Sequence, residues 1–199
     1  MPTELSRSLA VQIISAVLVS CLGSTVVAQV ERQPAQQLAT REPAAATSEK
    51  AVRREQWHLI RVPDPLARRA TIAALESASA LLADAECRRT LTDFDDGNGR
   101  SLADRLSSVA VDVQVYLTMV TFIDDSRHKR CASGVLLLTV PGSRVVRICA
   151  EELKRIYRQQ PDYVVATVIH EILHTLGLGE DPPSSREITA RVRIRCGRK

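Results

Sequence analysis

Residues 161–177 constrain this chain more than any other stretch. Pro161 and Asp162 read as a helix start, because proline fits the first turn and an acidic side chain is favourable there. Val164, Val165, Val168, Ile169, Ile172, Leu173 and Leu176 then spread apolar surface around most of the helix. Gly177 stands where a C′ residue would end it. A helix that is apolar on most sides belongs inside a core. Yet this one carries His170-Glu171-Ile172-Leu173-His174, and buried imidazoles and carboxylates are costly without partners.

The spacing itself points to the partner. Histidines four apart share a helix face. Both rings can therefore hold one zinc ion and leave a coordination position open. Glu171 points to a neighbouring face, where it can take a proton from water that the metal activates. The plain alternative is two satisfied core histidines beside a surface glutamate.

Read on to Glu180, the run His170-Glu171-Ile172-Leu173-His174-Thr175-Leu176-Gly177-Leu178-Gly179-Glu180 resembles the zincin metallopeptidases, and among them the metzincin form. In that form a glycine turns the chain and a third ligand follows three residues later. The resemblance implies zinc held by His170, His174 and Glu180, with Glu171 as the base. It also implies a peptide or protein substrate. It covers these residues and the helix around them. Both methionines, Met1 and Met119, precede the motif, so no methionine turn follows it. Two other carboxylates compete for the third position. Glu187 would serve in a gluzincin arrangement if the segment from Ser184 folds back as a helix. However, Ser184-Ser185-Arg186-Glu187 also fits a capping box. Asp181 is the remaining local acid.

The other end of the chain speaks to compartment. Residues 9–28 are largely apolar and follow Arg7, and Val26-Val27-Ala28 offers a cleavage position after Ala28. This reads as a secretory signal peptide. Two alternatives share the stretch: a retained membrane anchor, and a lipoprotein signal ending at residue 20. In the second, Leu18-Val19-Ser20-Cys21 resembles a bacterial lipobox with Cys21 lipidated. Of the five cysteines, Cys87, Cys131, Cys149 and Cys196 lie beyond this stretch. An even number in an exported chain reads as two disulfides. Cys131–Cys149 flank a predicted hairpin, which leaves Cys87–Cys196. The expected location is secreted or in the cell envelope.

Residues 29–56, rich in Gln, Ala, Pro and Glu, read as a disordered linker. Residues 57–199 then make one domain. Asp64-Pro65 predicts a helix over 66–85 with many alanines. Asp93-Phe94-Asp95-Asp96-Gly97-Asn98-Gly99 misses the EF-hand spacing and reads as a turn. A short helix is expected over 101–108. Residues 111–123 alternate and are rich in β-branched side chains, which predicts a strand. Residues 135–140, the turn Pro141-Gly142 and residues 144–149 predict a hairpin beside it. A helix over 151–159 precedes the motif helix. The expected fold is α+β: a small zincin-like domain with a short antiparallel sheet and an active-site helix. By the same resemblance, a sheet edge would take an extended peptide.

The remaining candidates are weaker. His128 lies in a charged loop, His58 stands alone, and Tyr157 and Tyr163 read as structural. The net charge of +4 is modest and aromatics make up 3% of the chain, so no nucleic-acid partner is expected. Arg191, Arg193, Arg195, Arg198 and Lys199 read as a solvated helix face and tail. Two function classes follow. The first is an exported zinc metallopeptidase. The second is an envelope-associated binding or structural protein that keeps zinc without turnover. Glu171 favours the first, since a structural site needs no base.

Overall fold

A computed structural model describes residues 56–197. The segment read as a secretory leader, Cys21, the segment read as a linker but for Gln56, Arg198 and Lys199 lie outside the described residues. The element order is β1 (Ile60–Arg61), α1 (Pro65–Ala83), α2 (Ala85–Arg88), α3 (Leu102–Ser107), α4 (Val113–Thr118), β2 (Thr121–Asp124), β3 (Leu137–Thr139), β4 (Val145–Ile148), α5 (Ala150–Gln159), α6 (Pro161–Thr175) and α7 (Ser185–Cys196). Short 3-10 turns lie at Arg89–Leu91 and Lys129–Ser133. The fold mixes helix and strand as expected.

The helices begin where local chemistry starts them. Asp64 accepts from the Leu66 and Ala67 amides at 2.8 Å each, with Pro65 following. Ala67, Ala70, Ala74 and Ala78 are buried along α1. Their small side chains let α1 lie close to α6, with α5 and α4 as its other neighbours. On α6 every residue from Val164 to Thr175 except Thr167 is buried. Each large aliphatic side chain there contributes about 1.5–3 kcal/mol by leaving water.

The sheet corrects the expectation of an all-antiparallel one. Its order is β1-β2-β4-β3. β1 pairs parallel with β2, and β2 parallel with β4; only β3 and β4 form the predicted hairpin. From β2 the chain passes through the 3-10 turn to the outer edge, then doubles back through Pro141-Gly142 into β4. β3 is therefore an edge strand. The Gly142 amide donates to the His174 carbonyl at 2.8 Å, which docks this hairpin on the motif helix.

The strand expected over 111–123 is a second correction. Only Thr121–Asp124 is extended; Val113–Thr118 is helix. Asp112 caps that helix through the Val115 amide at 2.8 Å. Val113, Tyr116 and Leu117 are buried, at i, i+3 and i+4. The Tyr116 hydroxyl donates to Thr175 Oγ1 on α6 at 3.0 Å. Tertiary burial thus selected the helical period that the β-branched residues obscured.

Both predicted cysteine pairings form. Cys87–Cys196 joins α2 to the end of α7, and Cys131–Cys149 joins the 3-10 turn to the end of β4. Beside the first, Arg195 is not a solvated cation. It bonds Asp93 at 2.8 and 2.9 Å and also pairs with Glu86. Among the described residues, no helix is long and apolar enough to cross a membrane.

Candidate metal centre

The last turn of α6 and the chain that follows build the site. Gly177 takes φ +112°, its amide donates to the His174 carbonyl at 2.9 Å, and the Leu178 amide donates to the Leu173 carbonyl at 3.2 Å. These two bonds end the helix in a Schellman turn. A Cβ on Gly177 would lie 3.1 Å from the Asp96 Cβ, a tight approach added to a backbone angle that favours glycine. The Asp93–Gly99 segment is indeed a turn. Asp96 accepts from the Arg100 and Asn98 amides and pairs with the Arg100 and Arg105 guanidinium groups. The Arg100 amide, first among these, holds the Asp96 carboxyl below its ordinary pKa.

The turn brings the Leu178 carbonyl 2.7 Å from His174 Nδ1. A carbonyl only accepts, so Nδ1 carries the proton and Nε2 of the neutral ring is a bare acceptor. His170 Nδ1 lies 2.9 Å from Thr189 Oγ1 on α7. Partners of this kind orient ligating histidines. The two Nε2 atoms are 2.8 Å apart, and Glu180 Oε1 lies 3.5 Å from that of His170 and 3.4 Å from that of His174. His170, His174 and Glu180 thus form a group that can hold a metal ion. A tetrahedral site with ligands at about 2.0–2.1 Å has edges of about 3.3 Å. Two observed edges match this within a few tenths of an ångström; the third opens by about half an ångström. Without a metal, the Nε2–Nε2 contact is satisfied only when His170 donates to His174 and Thr189 donates to His170.

Electrostatics fit the same group. Burial, with His174 alongside, pushes His170 down to about 4. It is therefore neutral near pH 7, the ligating form. Burial pushes Glu171 up to about 7. The Thr139 hydroxyl on β3 faces this carboxyl group and opposes that rise, but outside hydrogen-bond geometry. Glu171 Oε2 and Thr139 Oγ1 are both buried without a partner. Burial tends to raise Glu180, but the Ser185 side chain and the two histidines hold it below its ordinary value.

These residues open on a cleft of about 450 Å³ whose other wall is β3 and the residues before it. A larger hollow of about 690 Å³, between α6 and α7, is lined by none of His170, His174 and Glu180.

The rival ligands are engaged elsewhere or apart. Glu187 closes the capping box: its carboxylate accepts from the Ser184 amide at 2.8 Å, and its amide donates to Ser184 Oγ at 3.4 Å. Asp181 is exposed and lies outside the group of His170, His174 and Glu180. His128 accepts from the Arg130 amide at 3.2 Å and starts the 3-10 turn; it does not line the cleft. His58 is exposed. Tyr157 packs on the core, while Tyr163 lines the cleft. Sequence reasoning did not find Thr189, Thr139, Arg130 or the Leu178 carbonyl. None belongs to the motif's spacing, except that Gly177 foretold the turn that aims Leu178. Comparison of the chain with family models, curated proteins and solved structures gives no match.

Proposed function

We propose that this chain is an exported zinc metallopeptidase of zincin type, hydrolysing peptide bonds. The observation that carries the reading is Glu171. It is a carboxylate 6% exposed, with an unpartnered oxygen, one residue from a ligating histidine and facing the cleft. A buried free carboxylate is costly, and a structural metal site has no use for one. His170, His174 and Glu180 would hold the zinc; two imidazoles and one carboxylate are a donor set that suits it and leave an open position. Bound there, zinc would polarise a peptide carbonyl and acidify a water.

The remaining work falls to the chain. Glu171, which burial raises in the metal-free chain and which a bound cation would draw back toward its charged form, would accept a proton from water and return it to the leaving amine. Among the described residues β3 pairs with β4 alone, so its outer backbone groups can take an extended peptide as a further strand. Leu178 and Thr189 fix the histidine rings. The two disulfides support an oxidising compartment outside the cytosol.

The test is Glu171→Gln beside the parent and a His170→Ala, His174→Ala double variant. The parent binds about one zinc per chain and cleaves members of a broad peptide library. Glu171→Gln keeps the zinc and loses roughly 100-fold or more of the rate. The double variant loses the zinc. Undiminished turnover in Glu171→Gln would sink the mechanism. A second reading, a zinc-stabilised binding protein without turnover, draws support from the Thr189 and Leu178 contacts that tie the histidines into the fold. Zinc bound with no cleavage across the library would favour it.

A further inference from the structure

The cleft contains a cation that the reading above does not use. Arg130 lies in the 3-10 turn Lys129–Ser133 and lines the cleft beside Gly134–Thr139. Its backbone is held on several sides. The Arg130 amide donates to His128 Nδ1, Gly134 ends the turn at φ +81°, and the neighbouring Cys131 is bonded to Cys149. The side chain is different. Arg89, Arg100, Arg105, Arg147, Arg155, Arg191 and Arg195 each pair with an acid. Arg130, an exposed residue, makes no such pair among the described residues, as is also true of Arg61, Arg68, Arg69 and Arg127; what sets it apart is that it is the sole Lys or Arg lining this cleft. Its charge also reaches Glu171, whose pKa it lowers slightly against the larger effect of burial.

Glu171 and Glu180 are the acids that share the cleft with Arg130. Ionised, they balance a divalent ion, and Arg130 then leaves the loaded cleft with net positive charge. A planar guanidinium with no partner suits a carboxylate, which it can grip with two parallel bonds. We propose that Arg130 is a specificity-determining residue: it binds a carboxylate of the substrate, so the peptides taken are acidic beside the bond presented to Glu171 or end in a free carboxylate there. This rests on the metallopeptidase reading for its chemistry, but the binding of acidic peptides can be measured apart from cleavage.

The experiment uses the full exported chain, zinc-loaded, as parent, Arg130→Gln, Arg130→Glu and Lys129→Gln. Peptides of one sequence carry Glu or Gln at each position in turn, each with a free or an amidated C-terminus. The kcat/KM ratio of acidic to neutral peptides should fall about tenfold or more in Arg130→Gln and reverse in Arg130→Glu. Lys129→Gln removes a neighbouring charge that does not line the cleft and should leave the ratio as it was. A loss confined to the free C-terminus identifies the terminal carboxylate; a loss confined to Glu against Gln identifies a side chain. A ratio unchanged in Arg130→Gln, or lowered as much by Lys129→Gln, overturns the proposal. A second arm measures binding of the same peptides to Glu171→Gln, with and without Arg130→Gln, by fluorescence anisotropy. Parent chain that cleaves nothing counts against the peptidase reading alone. Equal binding of acidic and neutral peptides in that arm, including none by either, counts against Arg130.

Discussion

Glu171 should leave a signature in stability as well as in rate. Its carboxyl group is pushed from 4.5 to about 7 by burial in the folded chain. A carboxyl whose folded pKa lies above its unfolded value holds its proton more tightly when folded. The stability that follows is present in full below about 4.5 and is lost as pH rises through about 7. The difference between 4.5 and about 7 corresponds to about 3 kcal/mol. Glutamine does not titrate, so Glu171→Gln removes this dependence. In metal-free protein with both disulfides intact, the stability of Glu171→Gln relative to the parent should therefore increase by about 3 kcal/mol between pH 4 and pH 8. His170 is common to both chains, and any constant cost of burying an amide cancels; the difference reads Glu171 together with its interaction with His174 and Glu180. Urea unfolding at unit pH intervals measures the difference. A difference that stays flat across this range would refute the claim that Glu171 is a buried carboxylate held near neutrality. Zinc should move the rise to lower pH, because a cation beside Glu171 favours its charged form.

Two further substitutions separate ligand from scaffold. Glu180→Ala should weaken zinc affinity while leaving the metal-free fold in place; Glu187→Ala should spare zinc and lower stability by roughly 0.5–2 kcal/mol through the lost cap. Calorimetric zinc titration and urea unfolding read the two effects, and a collapse of affinity only in Glu187→Ala would reassign the third ligand. Gly177→Ala forces a side chain into a left-handed position and against Asp96, so it should cost about 1–3 kcal/mol. It should also lower zinc affinity roughly tenfold or more, because the Leu178 carbonyl that orients His174 moves with the turn. Unchanged zinc affinity in a variant shown to be destabilised would mean that this carbonyl is not needed.

What could be read in the sequence was what local chemistry decides. Pro161 and Gly177 bracket α6 because each acts on its own backbone. The capping box at Ser184 and Glu187 was legible for the same reason, and it gives Glu187 a role that needs no metal. Cys131 and Cys149 were paired correctly because they flank a hairpin; that left Cys87 for Cys196 across 109 residues. The strand expected over 111–123 failed where local preference and tertiary burial disagreed. The β-branched residues there favour a strand, but Val113, Tyr116 and Leu117 share a face only in a helix, and packing against α1 with the Tyr116 bond to α6 decided for it. β1 is two residues long and owes its form to Phe122 and Ile123 across the sheet, a partnership with no local mark.

The candidate site divides along the same line. His170, His174 and Glu180 lie within one helix turn and the loop it feeds, so their grouping follows from spacing. Thr189, Thr139 and Arg130 arrive from α7, from β3 and from a disulfide-held turn, and no spacing relates them to the motif. The Asp93–Gly99 segment joins the two cases. Its acids and glycines were legible as a turn, but the turn's use was not. Asp96 sits beside Gly177, and Arg105, which pairs with Asp96, donates to the Leu176 carbonyl at 3.4 Å. The turn therefore braces the end of the motif helix, where Leu178 is aimed at His174. A residue type can announce a local shape from sequence, but what that shape supports depends on which distant segment packs against it.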